Sequence, residues 1–358
     1  MLRTIYRCAF RRWFQHQDPE AIHEGVMKRL PWVRPLGPLL HALFSVQDER
    51  LRQQIWGIDF PNPIGLAGGF DKNAVAADCW PLLGFGFCEV GTVTPQAQVG
   101  NPQPRLFRYP EQEALVNRMG FNNDGAEALA LRLEQQTRRG VTGISLGKQK
   151  ETPVDDLDAV IEDYRASLKR LYVYGDFFVV NVSSPNTAKL RDLQRAERVQ
   201  PLLQALLEEM DQHSDGGAKP LLVKFAPDLD DDTIRELVDR VQEAGVSGVI
   251  ATNTTNQTQG LENGGLSGRP LRQRSTAVIR LIAEHTRGGL PIIGCGGIFD
   301  PADAIEKLEA GAWLLQLYTG FVYRGPTVAR DLGKGILHEM EQNNYQSLRE
   351  FRRAIHSE

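Results

Sequence analysis

The chain has 358 residues, with 41 Lys and Arg against 45 Asp and Glu for a formal net charge of −4. This acidic balance leaves no basic footprint for nucleic acid and speaks for small-molecule chemistry. The four cysteines, Cys8, Cys79, Cys88 and Cys295, form no CxxC pair and no cluster with histidines, which argues against a zinc site or disulfide framework and for a reducing compartment. No run of about 18 apolar residues occurs, and the N-terminus lacks the apolar core of a secretory signal, so any membrane contact is one-sided. The length suits one large α/β barrel with a small appendage.

Residues 1–44 read as that appendage. Arg3, Arg7, Arg11 and Arg12 stand without an acidic residue, while Leu2, Ile5, Tyr6, Phe10, Trp13 and Phe14 recur at helical spacing, the pattern of a basic amphipathic helix. Asp18-Pro19-Glu20 supplies cap and first-turn chemistry for a second helix, which carries Ile22, Val26, Met27 and Leu30 on one side and is stopped by Pro31. An apolar, proline-rich stretch continues to Phe44. Packing on the main domain and lying on a membrane surface both use such a stripe; the cationic first helix favours the membrane. A mitochondrial transit peptide is a third reading, although such a leader is expected to precede a folded start.

From Pro61 the pattern changes to eight short apolar runs: 64–67, 88–91, 143–146, 177–180, 221–223, 248–251, 291–294 and 314–317. Helical patterns lie between them near 73–83, 124–138, 156–172, 197–211, 230–244, 271–286 and 301–310, with another after Pro326. Strands buried on both faces look continuously apolar, so eight strand-helix units predict an α/β fold of the (β/α)₈ TIM-barrel type over 45–358. A doubly wound sheet would want a phosphate-binding fingerprint after its first strand, and neither GxGxxG in that context nor GxxxxGK[ST] is present.

A barrel builds its site where the strands end. The first run leads into Gly68-Gly69-Phe70-Asp71-Lys72, the second into Thr92, and the fourth into Asn181-Val182-Ser183-Ser184-Pro185-Asn186-Thr187. The fifth ends in Lys224, the sixth in Thr252-Asn253-Thr254-Thr255, the seventh in Gly296-Gly297 and the eighth in Tyr318-Thr319-Gly320. The last two groups offer free backbone N–H donors where barrels commonly hold a phosphate, and Gly264 to Gly268 is able to close over it; glycine-rich loops are also often plain turns. Lys224 continues an apolar strand, so a buried ammonium there needs an anionic or strongly accepting partner, unless it simply reaches water. Asn117, Asn181, Asn186 and Asn253 fall at the same end. Amides both donate and accept, so together they suit a planar ring with alternating N–H and C=O groups, although any one alone is explained as a turn or cap residue.

These residues carry a family resemblance. The chain resembles the quinone-dependent, class 2 dihydroorotate dehydrogenases over essentially its whole length, through 67–72, Asn117-Arg118-Met119-Gly120-Phe121, 181–187, 251–255, 264–268 and 316–320. The resemblance implies one non-covalent FMN across the barrel mouth, held by Ala67, Gly68, Gly69, Phe70, Asp71, Thr92, Asn181, Lys224, Thr252, Ser267, Gly268, Gly297, Tyr318 and Thr319. It implies dihydroorotate or orotate stacked on the flavin and bound by Lys72, Asn117, Arg118, Met119, Gly120, Phe121, Asn181, Asn186, Asn253 and Thr254. The N-terminal helices of the family form a membrane-facing funnel for a quinone, with His23 and Arg108 near its head group; His23 is equally readable as a packed, hydrogen-bonded histidine. The expected place is the cytoplasmic face of the bacterial inner membrane, bound peripherally at the lipid surface, with the mitochondrial inner membrane as the alternative. No metal, nucleic acid or obligate protein partner is expected. One position departs from the family: Ser145 stands where an asparagine usually meets the flavin. Cys295 reads as a small core residue.

Forming the ring double bond removes a proton beside a carbonyl and a hydride from the neighbouring carbon. FMN takes the hydride, and Ser184, where the soluble class 1 branch has a cysteine, is expected to take the proton. A serine hydroxyl is a poor base at neutral pH, so Thr187 and an ordered water are expected to carry the proton out behind a loop that includes Phe121, with Lys72 and the asparagines polarising the carbonyl. A hydroxy-acid oxidase, another FMN barrel, would want a histidine base near the end of the barrel, and none is there. A flavin-free phosphate-binding barrel isomerase would be colourless, and a barrel kept as a mere membrane-bound binding module would not need Ser184, Lys72 and Lys224. Deleting residues 1–44 should abolish quinone reduction while dihydroorotate still reduces the flavin in stopped flow; equal loss of both half-reactions would make the segment structural.

Overall fold

The computed structural model describes Tyr6, Phe10, Trp13 and residues 16–214, 217–258 and 260–355. The expected first amphipathic helix therefore lies outside the described residues, apart from those three. The chain continues through α1 (Pro19–Arg29), a 3-10 segment (Leu30–Leu36), α2 (Gly37–Phe44) and a hairpin of β1 (Gln53–Ile55) and β2 (Ile58–Phe60). There follow β3 (Ile64–Asp71), β4 (Phe87–Val93), β5 (Leu106–Tyr109), β6 (Ala114–Asn117), α3 (Gly125–Gln135), β7 (Val141–Leu146), α4 (Leu157–Leu171) and β8 (Phe177–Asn181). The second half comprises α5 (Ala196–Gln212), β9 (Leu221–Phe225), α6 (Asp231–Glu243), β10 (Gly248–Ala251), β11 (Gly265–Gly268), α7 (Arg272–His285), β12 (Ile292–Cys295), α8 (Pro301–Glu309) and β13 (Leu314–Leu317). It ends with α9 (Thr319–Arg324), α10 (Val328–Gln342) and α11 (Leu348–Ile355).

Strands β3, β4, β7, β8, β9, β10, β12 and β13 pair in that order and close into a parallel barrel, with Leu315 opposite Ile64 at the seam. The eight apolar runs are these eight strands. Alternation along each strand sends every second residue inward. Phe177, Val179 and Asn181 on β8, Leu222 and Lys224 on β9, and Phe87 and Glu89 on β4 share one parity. The apolar members join Ala67, Ile250, Ile293 and Leu314 in the barrel interior, and the β1–β2 hairpin plugs its far end with Ile55 and Phe60. The interior thus passes from apolar at the plug to polar at the opposite mouth.

The helix expected near 73–83 is not formed; two 3-10 turns, Ala77–Cys79 and Pro81–Leu83, stand there instead. The Asp71 carboxylate accepts the N–H groups of Val75 and Ala76 at 2.7 and 2.9 Å, so an isolated turn satisfies the donors that would begin a helix. Pro81 and the left-handed Gly84 then close the segment. An unexpected antiparallel sheet, in the order β11-β6-β5, stands beside the mouth, with Asn117 opposite both Gly265 and Leu106.

Residues 19–44 pack on the barrel. Met27 and Phe44 enter the main core, and Arg34 makes a two-pronged bond to the buried Asp78. Glu20 in α1 receives Arg105 Nε and Nη2 at 2.9 and 2.7 Å, with side-chain exposures of only 6% and 10%. Arg105 also donates to the carbonyl oxygens of Val99 and Asn101. A buried pair contributes little when intact but costs heavily when one partner is removed. Glu20→Gln should therefore lower stability in urea unfolding by roughly 3 kcal/mol. A loss below about 0.5 kcal/mol would show that the pair does not anchor the helix.

Candidate active site

At the polar mouth the strand ends and loops enclose a cleft with about 1060 Å³ of space, its open entrance included. Lining it are Ala67, Gly68, Gly69, Lys72, Thr92, Asn117, Met119, Gly120, Phe121, Asn181, Ser184, Asn186, Lys224, Thr252, Asn253, Thr254, Ser267, Gly268, Gly297, Tyr318 and Thr319, all expected site residues. Three expected residues do not line it. The Phe70 ring faces a second cavity. Asp71 turns inward, where it also accepts the Trp80 Nε1–H at 3.2 Å, and burial pushes its carboxyl upward. Arg118 lies over the Phe107 ring and donates to the Pro104 carbonyl. Neighbours in a loop sequence diverge here because the backbone turns after Gly69 and Asn117.

The floor is built by β4, β9 and β13. Lys224 Nζ lies 3.8 Å from Glu89 Oε1, and Gln316 Nε2 donates to Glu89 Oε2 at 2.7 Å, with Glu89 wholly buried. Sequence reasoning missed Glu89 and Gln316. The signal was the parity that placed Lys224 inside, since both share it on apolar strands. Glu89 Oε1 and Gln316 Oε1 have no hydrogen-bond partner among the described residues. Gly68 lies directly above, and a Cβ there would stand 2.1 Å from Glu89 Oε1, so only glycine lets the strand cross this carboxylate.

The asparagines divide into two linked groups. Asn181 Nδ2 donates to Thr92 Oγ1 at 2.7 Å, and Thr92 meets Ser145 Oγ at 3.0 Å. Asn253 Nδ2 donates to Asn181 Oδ1 and Ser183 Oγ at 3.3 and 3.0 Å. Across the cleft Asn186 Nδ2 donates to Asn117 Oδ1 at 2.9 Å. Ser145 is fully buried behind Thr92 and reaches the cleft only through it. Ser184 Oγ accepts the Asn186 N–H at 3.2 Å. Its loop is clamped from behind by Arg191, also missed from sequence, which donates to the carbonyls of Ser183 and Thr254 and pairs with Asp228 at 2.6 Å. Burial pushes the Lys72 ammonium down to about 8; Arg105 adds to this, while Glu20, Glu24 and Asp71 oppose it.

The second cavity, with about 1080 Å³ of space, its open entrance included, is walled by apolar side chains and brings together both His23 and Arg108. His23 packs edge-on to Phe70 at 4.9 Å between centroids, and burial with the nearby Lys72 charge pushes its ring down to about 3, so it is neutral at working pH. Leu106, Leu115 and Tyr318 wall both cavities. No group of three or more His, Cys, Asp or Glu able to hold a metal exists among the described residues.

Comparison with known proteins fits this geometry. The sequence profile of the family described as dihydroorotate dehydrogenase matches residues 50–340. A protein of Thermosynechococcus vestitus named dihydroorotate dehydrogenase (quinone) is 50% identical over 347 residues, covering 91% of this chain and 93% of its own. One of the same name from Gloeobacter violaceus is 49% identical over 353 residues, covering 97% and 98%. The crystal structure of ligand-free DHODH from Eimeria tenella superposes with a TM-score of 0.84 at 36% identity, covering 93% of this chain and 98% of that one.

Glu89→Gln keeps the Gln316 bond but leaves Lys224 without a counter-charge. Urea unfolding of the ligand-free chain should show a loss of roughly 3 kcal/mol. An unchanged midpoint would mean that Lys224 does not depend on Glu89.

Proposed function

The chain belongs to the dihydroorotate dehydrogenase family, and we propose that it oxidises dihydroorotate to orotate on FMN and passes the electrons to a quinone, in pyrimidine biosynthesis. The observation that carries this reading is the cleft itself: a lysine-floored, glycine-edged mouth, lined by amides, that shares a wall with an apolar cavity. The donor set fits a flavin. Lys224, Thr92, Asn181 and Thr252 suit its ring, the 67–69 backbone its edge, and Ser267, Gly268, Gly297, Tyr318 and Thr319 its phosphate. When bound, FMN accepts the hydride and hands on the electrons.

Asn117, Asn186, Asn253 and Thr254 orient the pyrimidine ring without adding charge, while Lys72 supplies the cation for its anionic and carbonyl oxygens. Ser184 Oγ takes the proton from the carbon beside the carbonyl and passes its own outward. Thr187 stands on an adjoining cavity that shares Gly120 and Asn186 with the cleft, which supports the route for that proton. Phe121, buried and held in the left-handed region at φ 55°, closes the cleft against bulk water. In the second cavity the neutral His23 ring and the Arg108 guanidinium are the groups suited to quinone carbonyl oxygens.

The same segment supports attachment to a lipid surface from one side. Val26, Trp32, Leu36, Leu39 and Leu43 are exposed on residues 19–44, a concentration of apolar side chains that a water-facing surface rarely carries. No helix among the described residues is long and apolar enough to cross a membrane. The two sequence relatives, from Thermosynechococcus vestitus and Gloeobacter violaceus, are bacterial, which favours the cytoplasmic face of the inner membrane.

Dihydroorotate added anaerobically should bleach the yellow protein, and a quinone should restore the colour. Ser184→Ala should bleach roughly 10²–10⁴-fold more slowly with its flavin retained. Bleaching at the wild-type rate would remove Ser184 from the role, and a purified chain unable to take up FMN would overturn the flavin reading.

A further inference from the structure

Lys307, in the last turn of α8, is fully buried. Its Nζ donates to Ser275 Oγ at 3.0 Å and Thr276 Oγ1 at 3.1 Å, and it forms no ion pair with a described carboxylate. Two hydroxyls solvate an ammonium but do not neutralise it, and a buried charge without a counter-ion is costly. The expected gain from such a lysine is therefore an anion nearby. Ser275 points to where that anion would be. Its hydroxyl donates to the Cys295 carbonyl at 2.6 Å, and the same oxygen would lie 3.1 Å from a Cβ placed on Gly296. Cys295, Gly296 and Gly297 form the cleft edge on the other side of this contact.

The surrounding charges sharpen the need. Arg269, Arg272 and Arg324 also stand behind this edge, but they are engaged by Glu113, Asp300, Asp303 and Glu306. Three guanidiniums against four carboxylates leave this layer net negative, the wrong sign beside a bound dianion. Lys307 restores the balance.

We propose that Lys307 is a positioning residue for the cofactor phosphate: acting through Ser275 and the Cys295–Gly297 turn, it supplies the buried positive charge that the phosphate requires. This rests on the flavin reading above. Burial pushes its ammonium down to about 8, so phosphate binding should draw a proton onto it. The groups facing it are Asp303 and Glu306 from its own helix, Arg272 from α7 and Cys295 from β12.

The test compares FMN with riboflavin, which lacks the phosphate, by fluorescence titration of the flavin-stripped full chain. In Lys307→Met, FMN should bind on the order of tenfold or more weakly while riboflavin affinity stays within about twofold. Lys307→Arg should regain the FMN preference. Equal weakening of both flavins would make Lys307 merely structural and overturn the proposal. Should the variants fail to fold, calorimetry of the wild type near pH 8 in two buffers of different ionisation enthalpy decides: proton uptake with FMN but not with riboflavin supports it, and equal uptake overturns it. A wild-type chain that binds neither flavin sinks the flavin reading instead.

Discussion

Lys224 and Glu89 face one another 3.8 Å apart where solvent does not reach, at the top of a barrel whose lower interior is packed with Phe87, Phe177, Val179 and Leu222. The parallel strands leave no choice in this: once Phe87 and Phe177 fill the plugged end, the period of two brings Glu89, Lys224 and Asn181 inward at the mouth. Charges so placed need each other and a ligand, because neither water nor backbone is available to solvate them. The unsatisfied oxygens of Glu89 and Gln316, and the glycine that must pass over them, follow from the same constraint. The chemistry at the mouth is thus the continuation of the pattern that closes the barrel.

That pattern explains what was legible in the sequence. Eight continuously apolar runs mark strands buried on both faces, and the residues that follow them line one cleft because all strands point the same way. Contacts made across the chain were not legible. Nothing local in Glu20 announces Arg105, and nothing in Arg191 announces the carbonyls of Ser183 and Thr254. The turns after Asp71 failed as a helix for a related reason. Apolar spacing there was real, but it reflects residues packed into the core from a turn whose donors are taken by a side chain. Glu89 was legible in principle, since one acid in a buried strand demands a partner.

The N-terminal segment is joined to the mouth by polar contacts as well as by apolar packing. Glu20 holds Arg105, Arg105 holds the Asn101 carbonyl, and the Asn101 amide donates to the carbonyls of Arg118 and Asn186. The last of these belongs to the loop that carries Ser184. A helix whose apolar side chains suit a lipid surface is therefore fastened, through four residues, to the loop proposed to remove the proton. This makes complete separability of residues 1–44 from the catalytic unit less natural than the composition of the segment suggests.

The two cavities divide the labour that the proposed reaction demands. A proton must leave toward water, while the electrons must reach an acceptor that is itself apolar. Around the cleft, polar side chains and the Thr187 cavity occupy one side, whereas Leu106, Leu115 and Tyr318 form the wall toward the other. Tyr318 is held as a neutral phenol, since burial pushes its hydroxyl up to about 12. His23 beyond it is held neutral chiefly by its own burial, so among the described residues Arg108 is the one cation that lines the second cavity. A dry, nearly uncharged partition of this kind passes electrons over a short distance but gives a proton no chain of titrating groups to follow. On the proposed reading, the direction in which each particle leaves is set by which walls of the mouth are polar, and that is set in turn by the sheet β11-β6-β5, where the apolar Leu115 walls both cavities and Asn117, two residues further on the same strand, lines the cleft.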